Sequence, residues 1–346
     1  MFLRFTRINM RLSIYKTILI FVLPFIFASF TFAQTERETG IELYKKGDYK
    51  GAIKLLKQAT KIDSDDANAW YYLGFSYLKT DKLKEAEKAL KTVIKLKPGD
   101  SQGYIGVAYL QLSANKIYEA QAAAQKALEL NEQNPEAHYI VGLINFRNGS
   151  FNGAYERAEK AIKIDPNFAE AYLLKSEALT FSYGIIRETV TKSPTREVEL
   201  LKESVVNMEK YLSLSTYSED KKFQQERLES LKFFAAHYEK PENQIPYNLG
   251  TASAAAANST PIKITSKPHP GYTTSAREAR TSGTIRLLVG FSENGKVKYI
   301  LVLRGLANGL NEQAVKAAQG IEFEPATKDG KPISVVKQIE YSFLIY

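Results

Sequence analysis

Residues 69–98 read AWYYLGFSYLKTDKLKEAEKALKTVIKLKP, and this stretch decides the fold. Apolar residues recur at helical spacing from Ala69 to Thr80 and again from Leu83 to Leu96, and Pro98 closes the unit. Lys82, Lys84, Glu85, Glu87 and Lys88 give the second helix a solvated face. Outward from here, the unit recurs every 34 residues. Gly40, Gly74, Ala108, Gly142 and Ser176 share one small-residue position. Ala52, Ala86, Ala120 and Ala154 follow twelve residues later, then Ala59, Val93, Ala127 and Ala161 after seven more. Small side chains at fixed spacing mark where paired helices come close, since a larger one would hold them apart.

Five such units run from about residue 35 to 214, and Pro98 and Pro166 close two of them. In the fifth, Ser182 to Pro194 is expected to interrupt the pair, with a long second helix from about Arg196 to Leu214. A helix from Glu219 to Tyr238, with Phe223, Leu228, Leu231 and Phe234 on one stripe, has the polar back that ends a solenoid. Trp70, Leu73, Gly74, Tyr77, Ala86 and Pro98 fall on the signature positions of one unit, so the chain resembles the tetratricopeptide repeat family. That resemblance implies a concave groove lined by first helices, with Tyr71, Phe75, Tyr109, Tyr139, Leu143 and Phe146 beside it. The same aromatics also suit packing of helix on helix, and both roles stay open from sequence. A peptide held through apolar contacts fits these side chains better than a charged tail does.

From residue 239 to 261 large apolar residues disappear in favour of Pro241, Pro246, Gly250 and an Ala/Ser/Thr run, the composition of a linker. Residues 262 to 346 then change to period two. Ile285, Leu287, Val289 and Phe291 alternate, Asn294-Gly295 gives a hairpin turn, and Lys296 to Arg304 forms the return strand. Leu310, Ala314, Ala317 and Ala318 mark a helix, and Ile333, Val335, Ile339, Tyr341, Phe343 and Ile345 a last strand. With a short helix near Ser275 to Arg280, this predicts an antiparallel sheet with helices on one face. Tyr272, Ala276, Gly283, the Asn294-Gly295-Lys296-Val297 turn, Phe323-Glu324-Pro325-Ala326 and Gly330-Lys331-Pro332 make the module similar to the TonB C-terminal domain family. One departure is Thr273 after Tyr272, where that family has proline. The resemblance implies strand addition at the last strand, through Val335, Lys337, Ile339, Tyr341 and Phe343, to an outer-membrane transport or assembly partner.

Composition closes off other classes. The chain has 346 residues and no cysteine, which excludes disulfide scaffolds, thiolate-held metals and thiol catalysis. Its three histidines, His138, His237 and His269, stand far apart, so no metal site is expected. The formal charge is +9, and Arg4, Arg7, Arg11 and Lys16 supply four of those charges. The remaining excess lies in residues 261–346, with 12 basic against 7 acidic residues and no basic run or Arg/aromatic stripe. Nucleic acid is therefore not an expected partner. Gly290 to Lys296 matches the start of a phosphate-binding loop, but Val297 replaces the metal-binding Ser or Thr and the context is strand to strand. Asp63-Ser64-Asp65-Asp66 reads as turn and N-cap chemistry rather than a calcium loop. With no H-E-x-x-H and no G-x-S-x-G, no catalytic residue, cofactor or metal is nominated.

The basic start leads into 17 apolar residues, Thr17 to Ala33, ending on Thr31-Phe32-Ala33. That layout is a secretory signal cleaved before Gln34, and the same run also fits an uncleaved membrane anchor. The expected organisation is a signal at 1–33, an all-α repeat solenoid with its cap at 34–238, a linker at 239–261 and a small α+β module at 262–346. The expected function is a non-enzymatic, periplasmic protein-interaction adaptor. The alternative is an energy transducer anchored in the inner membrane, the one case in which membrane association is expected.

Overall fold

The computed structural model describes residues 33–188, 194–215, 221–240 and 258–344. The expected signal before Ala33, residues 241–257 of the expected linker, and Ile345 of the expected last strand lie outside the described residues. The chain divides into two compact units, Met1–Gln133 and Asn134–Tyr346.

The first unit holds three helix pairs: α1 (33–45) with α2 (Tyr49–Ile62), α3 (Ala67–Lys79) with α4 (Leu83–Leu96), and α5 (Ser101–Ser113) with α6 (Ile117–Leu130). Small residues do here what their spacing implies. Ala52, Ala86, Ala108 and Ala120 are completely buried, and a methyl group on Gly74 would lie 2.7 Å from Leu90. One on Gly106 would overlap the same leucine, so Leu90 fills a slot between α3 and α5 that only glycines leave open. The acidic run is capping chemistry: Asp66 accepts from the Ala69 amide at 3.0 Å, and Asp63 from the Asp65 amide at 3.1 Å. Asp48 and Asp100 cap α2 and α5 in the same way.

The second unit continues with α7 (Pro135–Arg147), α8 (Phe151–Ile164), α9 (Ala169–Glu188), α10 (Pro194–Leu214) and α11 (Lys221–Glu239). The fifth repeat differs from expectation, because α9 runs straight through Ser182 to Glu188. Its cause can be traced to one register position. In the four earlier units, Gly47, Asp81, Asn115 and Gly149 turn the chain between paired helices with φ of 84°, 58°, 58° and 76°. Gly, Asn and Asp tolerate that left-handed backbone. Thirty-four residues after Gly149 stands Tyr183, which is helical and completely buried, and the helix continues. Ser176, at the small-residue position, hydrogen-bonds Ser204 of α10 at 2.8 Å, with Thr180 joining at 2.9 Å.

The C-terminal strands are β1 (Ser259–Thr260), β2 (Lys263–Ser266), β3 (Gly283–Phe291), β4 (Val297–Arg304), β5 (Glu322–Glu324), β6 (Ala326–Lys328), β7 (Lys331–Ile333) and β8 (Val335–Phe343), with helices α12 (Thr274–Glu278) and α13 (Leu310–Gln319). The main sheet has the order β4-β3-β8 and is antiparallel throughout. The phosphate-loop look-alike is the β3–β4 turn, closed by Ser292 N donating to Lys296 O at 3.0 Å, with Gly295 at φ 72°. Thr273, the departure from the family's proline, caps α12 by accepting from the Ala276 amide at 3.1 Å.

One sheet face carries Ile285, Leu287, Val289, Ile339, Tyr341 and Phe343 and packs with Ala276, Leu310, Ala314 and Ala318 of α12 and α13. The opposite face is covered as well. Leu288, Leu301 and Leu303 share a core with Leu179 and Tyr183 of α9, Leu201 and Met208 of α10, and Leu231 and Phe234 of α11. Phe233 stacks on Tyr299 at 4.1 Å, and the Ser230 hydroxyl accepts from the Ile300 amide at 3.2 Å. Gly184 of α9 presses against the Leu303 carbonyl so closely that any side chain there would strike it. The lengthened end of α9 is thus the platform on which β4 sits.

Candidate partner-binding surfaces

In the first unit, Tyr71 and Phe75 are 5% and 9% exposed, with ring centroids 4.7 Å apart. They belong to the packing between helices. Phe75 meets the half-buried Tyr109 at 5.2 Å, and Tyr71 meets Tyr72, which contacts Tyr44 at 5.4 Å. The surface of this aromatic chain is therefore offered by Tyr44, Tyr72 and Tyr109 rather than by Tyr71 and Phe75.

In the second unit Tyr139, Leu143 and Phe146 are half-buried. Tyr139 lies 5.2 Å from Phe168, and burial pushes its phenol pKa up, with Glu170 and Glu177 adding to the effect. Phe146 contacts Phe151 at 5.2 Å and Phe181 at 5.0 Å. The Phe146–Phe151 contact repeats Tyr44–Tyr49, three periods earlier, where the rings are 5.6 Å apart. That recurrence was available in the sequence, whereas Phe181 stands at the register position of Lys79, Ser113 and Arg147 and has no aromatic counterpart in the repeats.

Strand β8 forms one edge of the main sheet, and among the described residues no strand pairs with its outer side. Which backbone groups face outward follows from two contacts. The Ile300 amide points away from β3 to Ser230, so its partner Val289 directs its own groups toward β8 and bonds Lys337. Alternation then turns Ile339, Tyr341 and Phe343 inward to β3, leaving Val336, Gln338, Glu340 and Ser342 facing out. Lys267 agrees with this parity, since its ammonium donates to the Glu340 carbonyl at 2.7 Å. The five side chains expected to meet a partner divide accordingly: Ile339, Tyr341 and Phe343 are buried in the core, and Val335 and Lys337 are half-buried. Any strand addition at this edge runs through the main chain of their neighbours.

A third surface has no signal in the sequence. A cleft of about 500 Å3 opens in the second unit between α7, α9 and α11 on one side and β4 and α13 on the other. Phe146, Phe181, Phe223, Ile300, Val302 and Val315 supply its apolar lining, all half-buried. Glu177 and Arg227 pair within it at 2.9 Å, and Glu226, Lys298 and Glu312 stand along it. Among the described residues no group of three or more His, Asp or Glu side chains is placed to hold a metal ion, and no helix is long and apolar enough to cross a membrane.

Comparison with known proteins separates the repeats from the C-terminal module. Two tetratricopeptide repeat models match residues 43–108 and 108–169, and the model for the Gram-negative bacterial TonB protein C-terminal domain matches residues 268–345. No curated protein sequence matches the chain. Among solved structures, the chain is similar to a thermophilic TPR protein of Thermus thermophilus, with 19% identity over 58% of this chain and 99% of that one and a TM-score of 0.48. It is also similar to PilF of Pseudomonas aeruginosa, with 15% identity over 61% of this chain and 90% of that one and a TM-score of 0.42. YrrB, a TPR protein described as having an unusual peptide-binding site, matches with 20% identity over 50% and 84% of the two chains and a TM-score of 0.34. Repeats of this kind are a protein-interaction scaffold, and the C-terminal match points to the cell envelope. The chain is a tetratricopeptide repeat protein with a TonB C-terminal domain.

Proposed function

We propose that the protein is an exported, non-enzymatic adaptor of the bacterial envelope, whose repeats hold a peptide or protein while its TonB C-terminal domain engages an outer-membrane transport or assembly component by strand addition. The observation that carries this reading is the β8 edge. Ile339, Tyr341 and Phe343 are anchored in the core and fix the strand, while the intervening residues present main-chain donors and acceptors outward, of which Lys267 occupies the Glu340 carbonyl. An edge held in place in this way lowers the ordering cost of pairing with an incoming segment. The half-buried aromatics Tyr109, Tyr139 and Phe146 support the peptide-holding role of the repeats. The fold matched by the repeats is an interaction scaffold, which favours binding over catalysis.

The test is photo-crosslinking in the native cells, with a photoreactive residue replacing Gln338 or Ser342, and a control at Lys296 in the β3–β4 turn. The expected result is adducts to a protein of the outer-membrane fraction from positions 338 and 342 and none from 296. Equal labelling from all three positions, or adducts confined to cytoplasmic proteins, would contradict the reading.

A further inference from the structure

We propose that the cleft between the last repeats and β4 is a peptide-binding site in its own right, separate from the β8 edge and sharing only Phe146 with the aromatics assigned to the repeats, and that it takes an extended segment bearing an aromatic or large aliphatic residue beside lysine or arginine. The cleft forms where β4 and α13 face the last helices of the solenoid. Helix α9 carries Glu177, Thr180 and Phe181 up to the point where earlier first helices stop, with Phe181 at the register position of Arg147, α11 adds Phe223 and Arg227, and β4 and α13 form the facing wall.

Three observations define the occupant. The lining is apolar but not closed: Phe146, Phe181 and Phe223 on the helical side and Ile300, Val302 and Val315 opposite are all half-buried, as core residues are not. Three rings in one concavity suit an aromatic or branched side chain, which would remove from water the ring surface left exposed there. Charge gives the second. Of the three carboxylates, Glu177 is neutralised by Arg227 at 2.9 Å, whereas Glu226 and Glu312, on opposite walls, make no ion pair among the described residues. Lys298 is the other cation, and it lies over the Tyr299 ring at 5.3 Å. Carboxylates facing each other across an apolar floor complement cations flanking an apolar anchor. Third, β4 is the other edge of the sheet, and Val302 has the same outward parity as Ile300, so its main chain can be met within the cleft while Ser230 holds the Ile300 amide. Bulges on either side of the stretch Tyr299–Val302 keep that edge short, so side-chain capture and charge dominate over a long ladder.

The experiment uses the full chain and a random peptide library displayed on phage, followed by fluorescence polarisation of the selected peptides. The expected peptides place Phe, Tyr, Trp, Leu or Ile next to Lys or Arg. Their affinity should fall about tenfold in the Glu226→Lys, Glu312→Lys double variant, whose positions lie outside the buried core. A second variant, Phe181→Ala, should weaken them without changing the salt dependence. Selection of no peptide, of acidic peptides, or of peptides that bind the double variant equally would overturn the assignment. Concentration-dependent dimerisation abolished by the double variant would also overturn it, by giving the cleft to a second copy of the chain. Because β8 is untouched, crosslinking from Gln338 and Ser342 should persist in the double variant, which separates failure of this site from failure of the adaptor reading.

Discussion

At the scale of single residues, two side chains show how polar groups and small spaces are handled. Tyr341 lies in the core of the sheet with its hydroxyl buried and without a hydrogen-bond partner, beneath the Lys267 ammonium, which sits 4.7 Å from the ring. Burial pushes its pKa up to about 12 from the ordinary 10.0. A phenol that ionises more readily in the unfolded chain favours folding fully only below about pH 10, and that contribution is lost as pH rises toward 12. Tyr341→Phe should therefore raise stability by about 1 kcal/mol at neutral pH and reduce the decline above pH 10. Urea unfolding at pH 7 and pH 11 checks both, and a variant less stable at both would contradict the orphaned hydroxyl. Leu90, wedged against Gly74 and Gly106, is the opposite case of a filled slot, and the spacing of small residues that includes Gly74 signals it in the sequence.

Among elements, the helix pairs were legible because each depends on residues with a narrow range of tolerated roles. Buried alanines, Asp and Asn caps and closing prolines recur with the 34-residue period, and the structure places them where close approach or an orphan amide requires them. The same period holds a subtler signal: Gly47, Asp81, Asn115 and Gly149 are the left-handed turn residues. Tyr183 breaks that series, and its place in the series accounts for the length of α9 better than any local propensity does. Asn115→Val should then cost about 1–2 kcal/mol, since a β-branched side chain is forced into a positive φ. Trp70, the single tryptophan, lies in the same unit, and its fluorescence during unfolding measures the loss. An Asn115→Val protein as stable as the parent would mean the turn relaxes freely. Short strands were less legible. Asp329-Gly330, a two-residue hairpin turn with φ of 51° and 75°, joins β6 to β7, so that Ile333, expected in the last strand, ends β7 instead.

For the whole molecule, the lesson lies in the sheet. Its strands were identified from alternation, which finds the face toward α12 and α13, yet Leu287-Leu288-Val289 and Tyr299 to Leu303 are continuous apolar runs. Such runs are the mark of strands covered on both faces. Period two conceals that second face, and nothing local names the helices that cover it, because Gly184, Ser230 and Phe233 lie far along the chain from their contacts on β4. The cleft is a product of the same docking, so it too was invisible from sequence. The last repeat and the sheet are one folded unit, and native-state hydrogen exchange across a denaturant series tests this directly. Amides of α9 and α11 and those of β3 and β4, Ile300 among them, should open together with one free energy, and Gly184→Val should lower that energy for all of them. Sheet amides that open with a free energy of their own, unmoved by Gly184→Val, would contradict it.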